Sequence, residues 1–453
     1  MSHPPEARTV HNGRVSDIPQ GSLNRSAKLA SLPISAAGRA TKGFGQRLLG
    51  KDRAEISAEM QRRTAEQLFE VLGTLKGGAM KFGQALSVFE AALPEEAAAP
   101  YRAALTKLQN SAPPMDGATV RSIMAEQLGT GWPQYFRDFD DTAAAAASIG
   151  QVHRAIWRDG RDVAVKLQYP GAAQALTADM NQLSRLSRLM TPLLPGIEVK
   201  PLMAELKVRI LEEIDYAAEA ANQRAFAAAY ADDPEIYVGK IVASAPKLIV
   251  SEWVEGRGFA SIIESGTPEE RNLAGRLMSE LHFSAPTRVH LLHSDPHPGN
   301  YILRDDGRLG VIDFGSIAPM PNGSPPIIGT LARLSIQGDA ERLVTGLRAE
   351  GFIPANFDPD PDVLMAYLVP YVEPLRHEIF HFTRAWMQEL GARMSDFSSA
   401  EVKMARRLNL PPSYLMIQRV TLGSIGVLCQ LDARAPFRDI VARWQPGFAQ
   451  DPA

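Results

Sequence analysis

Three side chains at fixed spacing suggest what this chain could do. Residues 293–300 read His293-Ser294-Asp295-Pro296-His297-Pro298-Gly299-Asn300, and 18 positions beyond Asp295 stands Asp313, which opens Asp313-Phe314-Gly315. The pattern is D-x-x-x-x-N, a short hairpin, then an apolar strand ending in D-F-G. A phosphoryl group in transfer carries negative charge on several oxygens, so a protein contributes mainly positioning and electrostatics. Asp295 is placed to orient or deprotonate an acceptor. Asn300 and Asp313 are placed to hold the magnesium ions that bridge phosphates. Either half alone is weak. D-F-G recurs by chance, and Asp-Pro-His-Pro-Gly-Asn is rich in residues that favour ordinary turns. The two in this order, flanked by Tyr301-Ile302-Leu303 and Val311-Ile312, carry the phosphoryl-transfer reading.

That order is the one found in protein-kinase active centres, and such a centre needs further elements to position it. Residues 162–168 alternate as a strand, with Val163 and Val165 on one face and Ala164 and Lys166 on the other. Lys166 stands where a V-A-I-K lysine reaches the α- and β-phosphates. The pattern over residues 202–230 predicts one long helix that offers Glu213 and Glu219 as partners for the lysine. Six helical positions turn through about 240°, so the two cannot serve one partner. Glu219 is assigned to Lys166, Glu213 and Asp215 to another task, and Glu212 to a solvated face. Residues Ala145, Ala146, Ala147 and Ser148 fall where a kinase covers the phosphates with glycines. Alanine lacks glycine's freedom at positive φ, so this loop cannot wrap phosphates in the same way. Residues 247–256 form a strand ending in a glycine turn at the hinge position, where backbone groups of Glu252 and Val254 would bond adenine. After Gly315 no A-P-E element or long activation segment follows, which argues against a dedicated protein substrate.

Composition sets the outer limits. A chain of 453 residues suggests two or three units, and 45% apolar content is normal for a protein with a core. A net charge of -3 gives no global pointer to nucleic acid. Cys429 is the one cysteine, so there is no intrachain disulfide or thiolate metal cluster, and a reducing, cytoplasmic compartment fits. No signal peptide pattern opens the chain. No uncharged apolar run of about 18 residues occurs; in the nearest, residues 414–431, Gln418 and Arg419 interrupt, which favours a buried helix. The expected layout is a disordered, basic tail over 1–50, a helical extension over 51–140, a strand-rich lobe over 141–255 and a helical lobe over 256–445. The basic segment 28–51 reads as a solvated linker helix, with an anionic membrane surface as the alternative. Residues 119–128 read as a helix.

Lys81-Phe82-Gly83-Gln84 (K-x-G-Q), Ala145 to Ser148 followed by Ile149-Gly150-Gln151-Val152-His153, the strand bearing Lys166, Glu213-Ile214-Asp215, the run from His293 to Asn300 and Asp313-Phe314-Gly315 together resemble the ABC1/ADCK/UbiB atypical kinase family. The resemblance spans roughly residues 55–435. It implies an α+β, protein-kinase-like two-lobed fold, mostly helical, with an N-terminal helical extension packed over the site where a kinase takes its peptide. Lys81 and Gln84 would then form a regulatory lid pointing into the active site, near Glu213 and Asp215. The alanine loop is linked in that family to a preference for ADP and to suppressed autophosphorylation. ATP or ADP with Mg2+ are the implied cofactors, and ATPase activity is implied more readily than protein phosphorylation. Support of ubiquinone or related isoprenoid-lipid metabolism is implied as well, with a lipid or quinone-precursor ligand. Two features depart from the family pattern: Ser294 replaces the usual alanine, and the C-terminal hydrophobic hairpin of some bacterial members is missing. Membrane contact is therefore expected to be peripheral. A nucleotide-gated scaffold for lipid-biosynthesis proteins is the alternative function, and a true protein kinase the third.

Overall fold

The alternation read over residues 162–168 is realised as the middle of an antiparallel sheet. The computed structural model describes residues 114–147, 149–174, 177, 214–396 and 398–449. Lys81, Gln84, Ser148 and Glu213, the tail and the K-x-G-Q extension up to residue 113 lie outside the described residues.

Helix α1 (Gly117–Leu128) opens the described chain, capped by the Asp116 carboxylate, which accepts from the Thr119 N–H at 2.8 Å. Strands β1 (Phe136–Phe139), β2 (Ala145–Ala147), β3 (Gly150–Trp157) and β4 (Asp162–Gln168) follow. Next come helix α2 (Tyr216–Ala229) and strands β5 (Ile236–Val238), β6 (Ile241–Ala245) and β7 (Leu248–Glu252). The sheet runs β1-β3-β4-β7-β6, with β2 paired to β3. Val163, Val165 and Leu167 are fully buried and pack with Leu248 and Val250 against Val120, Ile123 and Met124 of α1. The opposite face of β4 is left to Ala164 and Lys166.

The helix expected over 202–230 does not run through its middle. Its described part starts at Tyr216, because the Asp215 carboxylate accepts from the Ala218 N–H at 2.9 Å and so takes the N-cap position. From there α2 buries Tyr216, Glu219, Ala220, Gln223, Phe226 and Ala227, the face of a 3.6-residue period.

The helical part of the chain carries short strands at its front. These are β8 (Arg257–Gly258), β9 (Leu291–His293), β10 (Tyr301–Leu303), β11 (Leu309–Val311) and β12 (Ile317–Pro319). One sheet has the order β5-β11-β10-β8, and β9 pairs antiparallel with β12. Helices α3 (Phe259–Ser265), α4 (Pro268–Arg288), α5 (Pro326–Gln337), α6 (Ala340–Ala349), α7 (Pro361–Val372), α8 (Arg384–Ser395), α9 (Ala400–Ala405), α10 (Pro412–Leu431) and α11 (Phe437–Trp444) complete it, with a minor β13 (Phe380–His381) and β14 (Arg434–Ala435) pair. Helix α4 begins with a capping box made by Thr267 and Glu270 and threads the core, where Leu277, Met278, Leu281 and Ala285 meet Val427, Leu428 and Leu431 of α10. Among the described residues α10 alone is long and apolar enough to cross a membrane, and 56% of its most apolar stretch is buried within the protein. It serves here as a core helix.

Candidate catalytic and nucleotide site

The strand and the helix deliver Lys166 and Glu219 to each other. Lys166 Nζ lies 2.6 Å from Glu219 Oε1 and 3.2 Å from Asp313 Oδ2. The Tyr216 ring sits 5.3 Å from the same nitrogen. Glu219 is 3% exposed and Lys166 17%, so the pair is largely out of water. Burial pushes the ammonium toward its neutral form, but the charges of Asp313 and Glu219 outweigh it and hold the lysine well above its ordinary value. Lys166 is a fixed cation.

The D-F-G backbone is tied from two sides. Asp313 Oδ1 accepts from the Gly315 N–H at 2.9 Å. The Asp313 carbonyl accepts from His293 Nε2 at 2.7 Å, which fixes that ring's tautomer. The Phe314 carbonyl accepts from Asn222 Nδ2 at 3.1 Å, and the buried Phe314 ring packs against Phe226 and His293. Asn222 and His293 are working parts that the motifs did not assign. The signal for Asn222 was its place three positions after Glu219, on one helix face. His293 heads the D-P-H-P-G-N run and was read only as part of the motif.

The catalytic loop hangs from the β9–β12 ladder. The Ser294 N–H donates to the Ser316 carbonyl at 3.0 Å, the two hydroxyls are 3.1 Å apart, and the Ser294 carbonyl accepts from Arg419 Nη2 at 3.1 Å. Ser294 thus uses a hydroxyl that alanine would lack. Asn300 donates through Nδ2 to the Asp295 carbonyl at 3.0 Å, which leaves its amide oxygen as the group able to take a cation. Burial first, then the charges of Asp295 and Asp313, push the Tyr301 phenol far up, so both carboxylates lie within electrostatic reach of one buried ring. Among the described residues no three His, Cys, Asp or Glu side chains cluster as a metal site. Asp313 and the Asn300 amide oxygen are oxygen donors of the kind that magnesium takes beside phosphate oxygens and water.

The alanine run forms β2, in register with β3 through Ala145↔Val152, Ala146↔Gln151 and Ala147↔Gly150. Ala145 and Ala146 are exposed. Gly150 is required, since a Cβ there would stand 2.0 Å from the Leu167 carbonyl oxygen and 2.9 Å from the Tyr216 hydroxyl. Gln151 and His153 act as structural ties. The Met115 N–H donates to Gln151 Oε1 at 2.9 Å, Gln151 Nε2 donates to His153 Nε2 at 2.8 Å, and His153 Nδ1 donates to the Asp140 carbonyl at 2.8 Å.

At the hinge the Glu252 N–H is spent on the Lys240 carbonyl at 2.9 Å, at the end of the β6–β7 pairing, so a base bound at Glu252 would have to use its carbonyl. The Glu252 carboxylate is held by Arg161 Nη1 and the Tyr237 hydroxyl, both at 3.1 Å. Val254 is buried, and Gly310 makes room for it, because a Cβ at 310 would come within 2.4 Å of Val254 Cγ1. Asp215 serves as the cap of α2, and its E-x-D partner Glu213 lies outside the described residues together with Lys81, Gln84 and Ser148.

A model of the ABC1 atypical kinase-like domain matches residues 107–345, which include every described side chain of this site except Arg419. The chain belongs to the ABC1 atypical kinase-like family. It is similar to a solved Mycobacterium tuberculosis structure described as a complex of Rv3197 with erythromycin, at 46% identity and TM-score 0.69, covering 88% of this chain and 100% of that one. It is also similar to the Synechocystis protein slr1919, 31% identical, covering 82% of this chain and 64% of the relative. A third relative, the Caenorhabditis elegans "Atypical kinase coq-8, mitochondrial", is 26% identical, covering 76% of this chain and 47% of the relative. Across these curated relatives the chain spans about half to two thirds of their length. Other ABC1-type relatives carry "mitochondrial" or "chloroplastic" in their names. The mixed helix and strand architecture is that of an ABC1 kinase-like α+β fold.

Proposed function

We propose that this ABC1-family chain binds Mg-nucleotide and works as an ATPase or as a kinase of a small or lipid acceptor, in support of isoprenoid-quinone or related lipid metabolism. The observation that carries the reading is the position of Lys166 Nζ between Glu219 Oε1 and Asp313 Oδ2. A buried cation held by two acids is suited to exchange one of them for phosphate. With nucleotide bound, Lys166 would keep Glu219 and offer its charge to the phosphates, and Asp313 and the Asn300 amide oxygen would hold magnesium, whose charge would offset that of the phosphates. Asp295 accepts the proton of the attacking hydroxyl or water. The bonds to the Ser294 carbonyl and from Asn300 hold the loop in place for that transfer. Work in the cytoplasm with peripheral membrane contact belongs to the same reading.

One observation favours the scaffold alternative. Both Asp313 carboxylate oxygens already have partners, Gly315 N–H and Lys166, so the charge set closes without a ligand. The discriminating experiment is magnesium-dependent ATP turnover by purified protein, with and without anionic liposomes and a quinone-precursor phenol, beside Asp295→Asn. Turnover that rises with lipid and is lost in the variant supports the enzyme. Nucleotide binding without turnover under every condition supports the scaffold. Because a similar solved structure is described as a complex with erythromycin, that macrolide belongs among the ligands tested for binding.

A further inference from the structure

A partly open cavity of about 160 Å³ lies in the helical part of the chain, beside the strand pair that carries the catalytic loop. Leu292 of β9, Met320 just past β12, Ala332 of α5, Ile417 of α10 and Phe437 of α11 line it. None of the described residues around it is Asp, Glu, Lys or Arg. Its polar groups are already paired within the protein: His282 Nε2 lies 3.2 Å from Thr421 Oγ1, and the Ser324 hydroxyl donates to Gln445 Oε1 at 2.6 Å. Burial keeps His282 uncharged at neutral pH. A charged ligand would meet no counter-ion here. An enclosed cavity of about 150 Å³ lined by Leu, Ile and Phe takes up benzene, which sets the scale of ligand that a space of this size admits.

We infer that this cavity binds a neutral apolar molecule about one aromatic ring in size, and that its occupancy is coupled to the catalytic loop. Three walls supply the coupling. Leu292 precedes His293, whose ring holds the Asp313 carbonyl at 2.7 Å. Helix α10 provides Ile417 to the cavity and Arg419 to the Ser294 carbonyl at 3.1 Å. Met320 donates its N–H to the His290 carbonyl at 2.8 Å, closing the β9–β12 ladder at its far end. A molecule wedged among these walls stiffens the frame from which Asp295 hangs.

The test is 19F NMR of fluorobenzene with the full chain. Saturable binding displaced by toluene is expected, with an affinity at least tenfold weaker in Ala332→Leu and in Ile417→Phe, each of which fills the space. Asp313→Asn should bind fluorobenzene as the parent does, which separates this site from the catalytic reading. Amides of residues 291–300 should exchange more slowly with fluorobenzene present. Absence of saturable binding, or equal binding in whichever filled variant folds, overturns the site. Unchanged exchange over 291–300 at saturation overturns the coupling.

Discussion

Glu219→Gln removes one charge from the Lys166 site and keeps its shape. Losing one partner of a buried ion pair costs about 3–5 kcal/mol when the other charge is stranded. Lys166 is not stranded, because Asp313 Oδ2 remains 3.2 Å away and the glutamine amide oxygen still accepts a hydrogen bond. What is lost is the acceptor's charge: a bond between two ions, near the upper end of about 1.5–3 kcal/mol, becomes one between the ammonium and a neutral amide, near the lower end, so about 1–2 kcal/mol. For a domain of this size 1 kcal/mol shifts Tm by about 2–4 °C, and the expected fall at pH 7 is therefore about 2–8 °C by scanning fluorimetry. The pH dependence has a definite sign. Lys166 is raised above 10.5 in the folded chain, so the stabilisation is fully present below that value and is lost as pH rises through the higher folded value. The gap between parent and variant should hold from pH 7 to about 10 and close in stronger alkali. If Lys166 positions phosphate, turnover should also fall at least tenfold, since the lysine is left to Asp313. An unchanged Tm at pH 7, or a gap that widens in alkali, would refute the reasoning.

Two further outcomes can be checked on the same samples. Gly150→Ala should lower Tm by roughly 6 °C or more, because a Cβ 2.0 Å from the Leu167 carbonyl oxygen forces β3 and β4 apart, an overpacking cost of about 3 kcal/mol; a melt within 1 °C of the parent would show that the strands yield freely. Burial depresses His282 from 6.5 to about 4, so the unfolded chain takes up its proton first and stability falls with pH between those values. The loss attributable to this one group is about 3 kcal/mol, and urea midpoints at pH 7 and pH 4.5 should therefore differ less in His282→Gln than in the parent.

Much of the site was legible because its chemistry depends on side chains at fixed spacings. Lys166 and Glu219, 53 positions apart, were paired because the kinase pattern calls for a helix glutamate opposite the strand lysine, and their atoms stand 2.6 Å apart. The helix boundary was not legible. Apolar positions recur on both sides of Asp215, at Leu211, Ile214 and Ala218, while a cap is a local hydrogen bond that competes with the helix and leaves the periodicity unchanged. Backbone roles were hidden for a similar reason. Glu252 was assigned by position, and the β6–β7 pairing that takes its N–H depends on a register that no side-chain motif records. Gln151 and His153 belong to a recognisable motif, yet their buried chain from Met115 to Asp140 spans contacts that only the fold brings together.

The cap also explains how one helix serves both ends of the site. Asp215 caps α2 and fixes where it begins. Counting from it, Glu219 is four positions on and Asn222 seven, turns of about 400° and 700°, which put both within about 60° of each other on one face. Glu219 takes Lys166 on β4, and Asn222 takes the carbonyl of Phe314. Strand lysine and D-F-G segment are therefore set by one helical register. Shifting the start of α2 by a single residue would rotate both side chains by about 100° and release both partners together. In this part of the E-x-D motif the aspartate need not touch nucleotide to govern the site: it sets the phase of the helix that does the holding.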